Sequence, residues 1–276
     1  MLASFIITFR EMLEVALVVG IILSYLSRTK QTQYNNVVYL GVISGIVASI
    51  IGALLFNNLS EGFEGTAEQI FEGITMLTGA LLLTTMIFWM MKQRHVAVHL
   101  EQKVAEKISQ VRKYGLFSLV FVAVLREGIE TVIFLSAASF VSQENNMIGA
   151  LAGIVGAIIL GYAIFVSARK INIKKFFNIT STLLILFAAG LTAHGVHELQ
   201  EAGLLPAITE EVWNTNPAQN PDGSYPLLHE KGYFGSILKE LFGYNGNPSL
   251  IEAISYFAYL IIIVLLWRRI ERAHSG

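Results

Sequence analysis

Two apolar stretches of the sequence each carry one arginine and two glutamates in the order Arg-Glu-x-x-Glu. The six residues are Arg10, Glu11, Glu14, Arg126, Glu127 and Glu130. Residues three or four positions apart share one face of an α-helix, so each set turns its guanidinium and both carboxylates to one side. Insertion scales give a cost of roughly 2.5–3.5 kcal/mol for each charge in the middle of a membrane helix. A cost of this size, met twice at the same spacing, indicates a functional centre.

Packed together, the two motifs predict a site for a hard cation. Four carboxylates and two guanidiniums sum to a formal charge of −2. Carboxylate oxygens suit magnesium, calcium, manganese and the harder oxidation state of iron, and they do not suit copper(I). Each arginine would orient one carboxylate and lower the self-repulsion of the empty site. Two other interpretations stay open: a proton relay between clustered carboxylates, and two structural ion pairs, which would leave two carboxylates without a role.

The composition indicates an all-α integral membrane protein. Of the 276 residues, 54% are hydrophobic and 14% are charged, whereas a soluble domain has about 25% charged residues. The chain has no cysteine, which excludes disulfides and thiolate metal sites. The apolar run that begins at residue 1 has no basic segment before it and contains the first motif. We therefore expect a retained first span and not a cleaved signal peptide.

Seven stretches are long enough to cross a membrane as helices, which takes about 20 mostly apolar residues. They lie at about residues 2–26, 37–57, 68–91, 115–141, 147–168, 176–200 and 249–267. Most of the 19 basic residues follow spans one, three, five and seven. Because basic loops stay in the cytoplasm, we expect the N-terminus outside and the C-terminus inside.

The spans repeat in groups of three. Spans one and four carry the charged motif, and spans two and five are rich in glycine, with Gly41-x-x-x-Gly45 and Gly149-x-x-x-Gly153 at the spacing of closely packed helices. Three is an odd number, so the second copy enters the membrane upside down, as in many secondary transporters whose site lies near the midplane. We predict a 3+3 inverted repeat, with copies at about 1–91 and 115–200. Span seven, at about 249–267, is an addition.

The loops on the predicted outer side are acidic, and their ends carry side chains that bind metals in other proteins. Eight of them are Glu61, Glu64, Glu68, Glu72, His194, His197, Glu198 and Glu201. We predict Glu68, Glu72 and Glu198 as outer metal ligands and the other five as further candidates. Such a rim would raise the local cation concentration and pass metal inward. The alternatives are a solvated acidic rim and histidines that hydrogen-bond between helices.

Two segments between the spans carry helical patterns. The outer segment, about residues 201–248, contains a stretch at 233–242 that predicts a short interfacial helix. On the inner side, apolar residues at helical spacing in 92–113 predict an amphipathic surface helix. His95 and His99 lie one turn apart there. They are either a metal-binding pair or, as the basic surroundings favour, a solvated pair.

The doubled motif resembles that of the oxidase-dependent iron transporters, the family of the fungal high-affinity iron permease and the bacterial EfeU-type permeases. Residues 71–73, 197–203 and 241–249 are also similar to family segments, so the resemblance covers almost the whole chain. It implies that iron is the transported substrate. It also implies that the four motif glutamates bind the iron, with the two motif arginines beside them. Met12 stands where many members have glycine.

The resemblance also implies partners outside the membrane. Fungal members work with a multicopper ferroxidase, and bacterial members work with an iron-binding component and a haem peroxidase. We therefore expect an extracytoplasmic iron-binding or iron-oxidising partner, with membrane lipid around the spans and no nucleic acid. We expect no bound organic cofactor.

These observations predict a single permease domain at 1–276 in a bacterial plasma membrane. We expect it to move iron inward, in the ferric state after oxidation outside, and not to act as an enzyme. The alternatives are a carrier for manganese or ferrous iron, and a proton-coupled exchanger. A membrane enzyme with a carboxylate-bridged metal pair would usually show Glu-x-x-His in a bundle, which these motifs lack. A metal sensor that signals through 92–113 also stays open.

Overall fold

The computed structural model describes residues 1–92, 113–142, 146–166, 173–206, 208–209, 211–217, 219–220 and 224–275. These residues form eight α-helices and one short 3-10 helix, Thr32–Tyr34, without a β-strand in the ranges given. The α-helices are α1 (Leu2–Arg28), α2 (Asn35–Ser60), α3 (Thr66–Lys92), α4 (Lys113–Ser142), α5 (Met147–Val166), α6 (Ile173–Glu201), α7 (Tyr233–Phe242) and α8 (Leu250–Ser275).

Each stretch that the sequence predicts as a span lies within or nearly coincides with one helix. Five helical segments are long and apolar enough to cross a membrane: Thr32–Ser60, Thr66–Met90, Met147–Ile164, Phe177–Glu201 and Leu250–Arg269. Helices α1 and α4 are not among them, because each carries the three charges of an Arg-Glu-x-x-Glu motif near its middle. The helix predicted at 92–113, with His95 and His99, lies outside the described residues.

The helices pack in matched pairs. Helix α1 packs chiefly against α5, α2 against α4, and α3 against α6, while α1 and α4 also meet each other. One apolar core lies between α1, α3, α4 and α6 around Phe134, and a second lies between α1, α2 and α4 around Val120. Apolar side chains such as Leu54 point away from the protein, as expected of surfaces that face lipid. The motif-bearing helices α1 and α4 therefore each pack against several other helices and against each other.

Glycines set the distance in two of these pairs. A methyl group on Gly45 of α2 would lie 3.2 Å from the carbonyl oxygen of Phe121, and one on Gly153 of α5 would lie 2.7 Å from that of Phe5. Small residues allow helices in a membrane to approach this closely. Phe5 and Phe121 are separated by the same number of residues as the two motif arginines. The α1–α5 and α2–α4 contacts thus use corresponding positions of the two motif helices.

Helix α7 has the predicted bounds, and its apolar face is turned to protein. It contacts α6, α1 and α4. It ends at Phe242 and is capped by Gly243, whose φ of 64° is left-handed. The N–H groups of Gly243 and Tyr244 donate to carbonyl oxygens of the last turn. Gly243 also packs directly on Gly190 of α6, where a methyl group would lie 2.3 Å from the Cα of Gly243. The outer segment is therefore anchored between the helices.

Candidate metal centre

The first motif is buried in the middle of α1. Arg10 and Glu11 are fully buried, and the Glu14 side chain is 10% exposed. The Arg10 Nη1 atom lies 3.4 Å from Glu11 Oε1, and its Nη2 atom lies 3.3 Å from Glu14 Oε1. The same two nitrogens donate to the sulfurs of Met86 and Met90 of α3, at 3.2 Å and 2.7 Å. Each terminal nitrogen of the guanidinium therefore contacts one carboxylate and one thioether.

The second motif is more open. The Arg126 Nε atom donates to Glu127 Oε1 at 3.0 Å, and Nη2 contacts the same oxygen. Nε also lies 3.5 Å from Glu130 Oε1. The Arg126 side chain is 49% exposed, and its guanidinium lies 5.3 Å from the centre of the Trp89 ring. The two motifs thus share an ion-pair pattern and differ in the burial of the arginine.

The two motifs bring three carboxylates together. Oxygen atoms of Glu11, Glu14 and Glu127 lie within 4.8 Å of one another, and all three residues are buried. Within the described part of the chain, this is the one group of three potential metal-binding side chains at such distances. Oxygens that bind one divalent ion at about 2.0–2.6 Å are at most about 5 Å apart. Glu130 lies at the edge of the group, held by Arg126.

The carboxylates of this group have unused acceptor positions. Each of the four motif glutamates has one buried oxygen that receives no hydrogen bond: Glu11 Oε2, Glu14 Oε1, Glu127 Oε2 and Glu130 Oε2. Most buried polar side-chain atoms in proteins have a hydrogen-bond partner. These oxygens are positions that a hard cation could take, since such cations bind carboxylate oxygens directly; of the four, Glu14 Oε1 also lies 3.3 Å from Arg10 Nη2. We refer to these four side chains as the glutamate site.

The predicted outer ligands lie where α3 and α6 cross. Glu72 faces the negative charges of Glu198 and Glu68, beside a contact in which a methyl group on Gly73 would lie 2.9 Å from the carbonyl oxygen of Gly195. These acids are neighbours, but they do not form a group of three ligand atoms within 4.8 Å among the described residues. The outer acids therefore form a looser arrangement than the glutamate site.

The two histidines at the end of α6 have different surroundings. His197 lies between two carboxylates, with Nε2 3.2 Å from Glu201 Oε1 and Nδ1 3.5 Å from Glu252 Oε2. His194 donates from Nδ1 to the carbonyl oxygen of Gly190 at 3.1 Å. Glu201 also accepts a hydrogen bond from Gln69 of α3. The remaining rim acids, residues 61 and 64, are exposed in the turn between α2 and α3.

Glu252 is an acid of the outer region that sequence reasoning missed. It is 1% exposed and accepts a hydrogen bond from Asn245 at 2.8 Å. Its backbone N–H donates to Ser249 Oγ, and its carboxylate accepts from the Ser249 N–H. This reciprocal pair is a capping box at the start of α8. The pattern Ser-x-x-Glu before an apolar run is the signal that would have found it.

Comparison with known proteins covers nearly the whole chain. The model of the iron permease FTR1 family matches residues 1–273. The ferrous iron permease EfeU of Yersinia pestis is 36% identical over 282 residues, which span 100% of this chain and 96% of that protein. The protein of the same name from Escherichia coli O6:H1 is 33% identical over 267 residues, 95% of this chain and 93% of its own. No solved structure matches. The chain belongs to the iron permease FTR1 family.

Proposed function

We propose that this multi-pass membrane protein is an iron permease that moves iron through the glutamate site toward the cytoplasm. The observation that carries the proposal is the convergence of Glu11, Glu14 and Glu127 within 4.8 Å, buried and with free oxygen lone pairs. The similar proteins are named permeases, which points to a transporter and not to an enzyme. Their name also supplies iron as the cargo.

We infer seven membrane spans, the five apolar segments together with α1 and α4. For α1, support comes from the burial of its charges: Arg10 and Glu11 are 0% exposed, so they face the protein interior and not lipid. On α4, Glu127 is buried in the same way. Charged residues within spans face the bundle interior in other membrane proteins. The placement of basic residues after spans one, three, five and seven supports an outside N-terminus.

The proposed domain at 1–276 contains two inverted copies of three helices. Exchanging the copies turns the α1–α5 pair into the α4–α2 pair and leaves the α3–α6 pair in place, and the observed packing has this pattern. The matching register at Gly45 and Gly153 gives independent support. An inverted repeat of this kind has its site near the midplane, between the copies.

The oxidation state of the iron gives two candidates. Ferric iron suits a site made only of carboxylate oxygens, and it is what the resemblance to oxidase-dependent transporters implies. Ferrous iron is the second candidate, favoured by the name of the similar proteins. The formal charge of −2 on four glutamates and two arginines also favours it, because a divalent ion would make the site neutral.

We propose a path from the outer acids to the glutamate site and then to the cytoplasm. Glu68, Glu72 and Glu198 would attract the cation at the outer ends of α3 and α6. An inside-negative membrane potential contributes about 2.3 kcal/mol per charge for each 100 mV. A partner outside the membrane would deliver or oxidise the iron, as the family resemblance implies.

Uptake of radioactive iron into proteoliposomes tests the proposal. We expect Glu14→Gln and Glu130→Gln to lower uptake at least about tenfold, because even residues that only support metal ligands cost 10–100-fold when lost. Glu211→Gln, in the exposed outer segment, is the control and should match the wild type. Parallel assays with ferric citrate and with anaerobic ferrous iron show which oxidation state is carried. Normal uptake by both motif variants would contradict the proposal.

A further inference from the structure

The carboxyl-terminal end of α3 contacts the arginines of both motifs. Met86 and Met90 place their sulfurs 3.2 Å and 2.7 Å from the two terminal nitrogens of Arg10. Trp89 places its ring 5.3 Å from the guanidinium carbon of Arg126. Residues at i, i+3 and i+4 share one face of a helix. We call Met86, Trp89 and Met90 the α3 seat.

The proposed inverted repeat does not by itself explain the contacts of the α3 seat. In an inverted repeat, α6 would hold Arg126 as α3 holds Arg10. Among the described side chains, one helix, α3, contacts both arginines, with thioethers on one and an aromatic ring on the other. The seat is thus a place where the two halves differ, and its contacts converge on the charges that balance the glutamate site.

The chemistry of the seat leaves the carboxylates of the first motif available. The distances of 3.4 Å and 3.3 Å from Arg10 to Glu11 and Glu14 exceed the 2.7–2.9 Å typical of charge-assisted hydrogen bonds. Arg10 is fully buried, and its Nε has no acceptor, so its remaining N–H groups depend on what α3 offers. Thioether sulfur is a weak acceptor. The two sulfurs therefore accept hydrogen bonds from the terminal nitrogens of Arg10. Those nitrogens remain at 3.3–3.4 Å from the carboxylates.

We propose that the α3 seat positions both motif arginines and so sets the affinity of the glutamate site for iron; this inference rests on the proposed function. With the sulfurs in place, Arg10 neutralises part of the charge of the site, while its contacts with Glu11 and Glu14 stay longer than charge-assisted hydrogen bonds. Without them, its donors turn to Glu11 and Glu14 and compete with the ion. Trp89 holds Arg126 beside Glu127 by a cation–π contact.

Transport kinetics of seat variants in proteoliposomes test this inference. Leucine has nearly the volume of methionine and offers no acceptor, so Met86→Leu/Met90→Leu keeps the packing and removes both sulfurs. We expect its KM for iron to rise about tenfold, which corresponds to about 1.4 kcal/mol, while the maximal rate per folded protein is retained. Met86→Gln/Met90→Gln restores acceptors and should restore the KM.

Four further variants keep the test decisive. Met76→Leu replaces another buried methionine of α3 and should leave the KM unchanged. If the double variant does not fold, Met90→Leu alone replaces it, because Met90 is only partly buried. This single variant should also raise the KM. Trp89→Leu should also raise it, and Trp89→Phe should raise it less, because the smaller ring keeps part of the cation–π contact.

Two results would overturn the inference. One is a wild-type KM in the leucine variants while Glu14→Gln loses uptake, which would leave the proposed function intact and remove the role of the seat. The other is a KM that stays raised in the glutamine variant, because the sulfurs would then act through packing and not as acceptors. Full uptake by both Glu14→Gln and Glu130→Gln would instead contradict the proposed function.

Discussion

Buried charge without full compensation is the main feature at the scale of single residues. Removing an ion from water costs several kcal/mol even after relaxation of the protein, and Arg10 and Glu11 are both fully buried. Their ion pairs are long, and one oxygen of each motif glutamate has no donor. A bound cation would supply the missing interactions. Iron should therefore stabilise the fold as well as pass through it, since a ligand that binds only the folded state raises its stability.

Glu230 is a carboxylate whose role is structural. It accepts hydrogen bonds from Lys239 Nζ at 2.6 Å, from Asn216 Nδ2 at 2.9 Å and from the Gly246 N–H at 2.9 Å. Burial alone would raise the pKa of Glu230, but these hydrogen bonds outweigh it and lower the pKa from 4.5 to about 2. The charged form of Glu230 therefore ties the outer segment to the loop between α7 and α8.

The stability of the outer segment should depend on pH through Glu230. Because its pKa is lower in the folded state, the contribution is fully present above the ordinary pKa of 4.5 and is lost as the pH falls toward 2. At neutral pH we expect Glu230→Gln to destabilise the segment by about 1.5–3 kcal/mol. Hydrogen exchange of residues 224–248 at several pH values measures this. A variant with the same pH dependence as the wild type would refute the assignment.

Some residues around the glutamate site could be predicted from the sequence, and others could not. Arg10 and Glu14 could be predicted as candidate site residues because a charge inside an apolar run is costly. Met86 and Trp89 could not, because methionine and tryptophan in such a run look the same whether they face lipid, the core or a guanidinium. Only the packing of α3 beside the motif helices distinguishes these cases.

At the scale of helices, the sequence predicts where a helix begins and ends, but it does not predict which helix it packs against. The bounds of α7 match the predicted 233–242, because an apolar face and a terminal glycine are local signals. The pairing of α1 with α5 and of α2 with α4 was not predictable from glycine spacing, which shows that a close contact exists but not with which helix. The contact of Gly243 with Gly190 likewise depends on the folded chain.

The glycine contacts make a prediction for the helix pairs. Gly153→Ala would place a methyl group 2.7 Å from the carbonyl oxygen of Phe5, so we expect α1 and α5 to move apart at a cost of about 1–3 kcal/mol. Gly52 has nothing within 4 Å of the added carbon, so Gly52→Ala should be neutral or gain up to about 1 kcal/mol from helix propensity. Thermal unfolding in detergent compares the two. Equal melting temperatures would contradict this account of the packing.

The whole molecule combines an apolar exterior with a charged interior. Side chains such as Ile50 and Leu265 are exposed and apolar, while Arg10 and the four motif glutamates are buried or largely buried. Composition could predict this class of protein, because so few charged residues cannot cover a soluble surface. The asymmetry of the halves could not be predicted, since Arg10 is fully buried and Arg126 is half exposed on identical motifs.

Orientation in the membrane can be measured directly, because the chain has no cysteine to interfere. Gln33 and Glu64 are exposed at opposite ends of α2, and each can be replaced by a single cysteine. With the N-terminus outside, a maleimide that cannot cross membranes should label Glu64→Cys in intact spheroplasts and should label Gln33→Cys only after permeabilisation. The reverse labelling pattern would show that the orientation is wrong.

The central claim is that iron binds the carboxylates of the two motifs together. Anomalous diffraction at the iron edge from iron-soaked crystals tests it most directly. We predict one iron peak with oxygens of Glu11, Glu14 and Glu127 at about 2.0–2.6 Å, and loss of that peak in Glu14→Gln. Iron bound elsewhere, with the glutamate site empty in a protein that transports iron, would contradict the account.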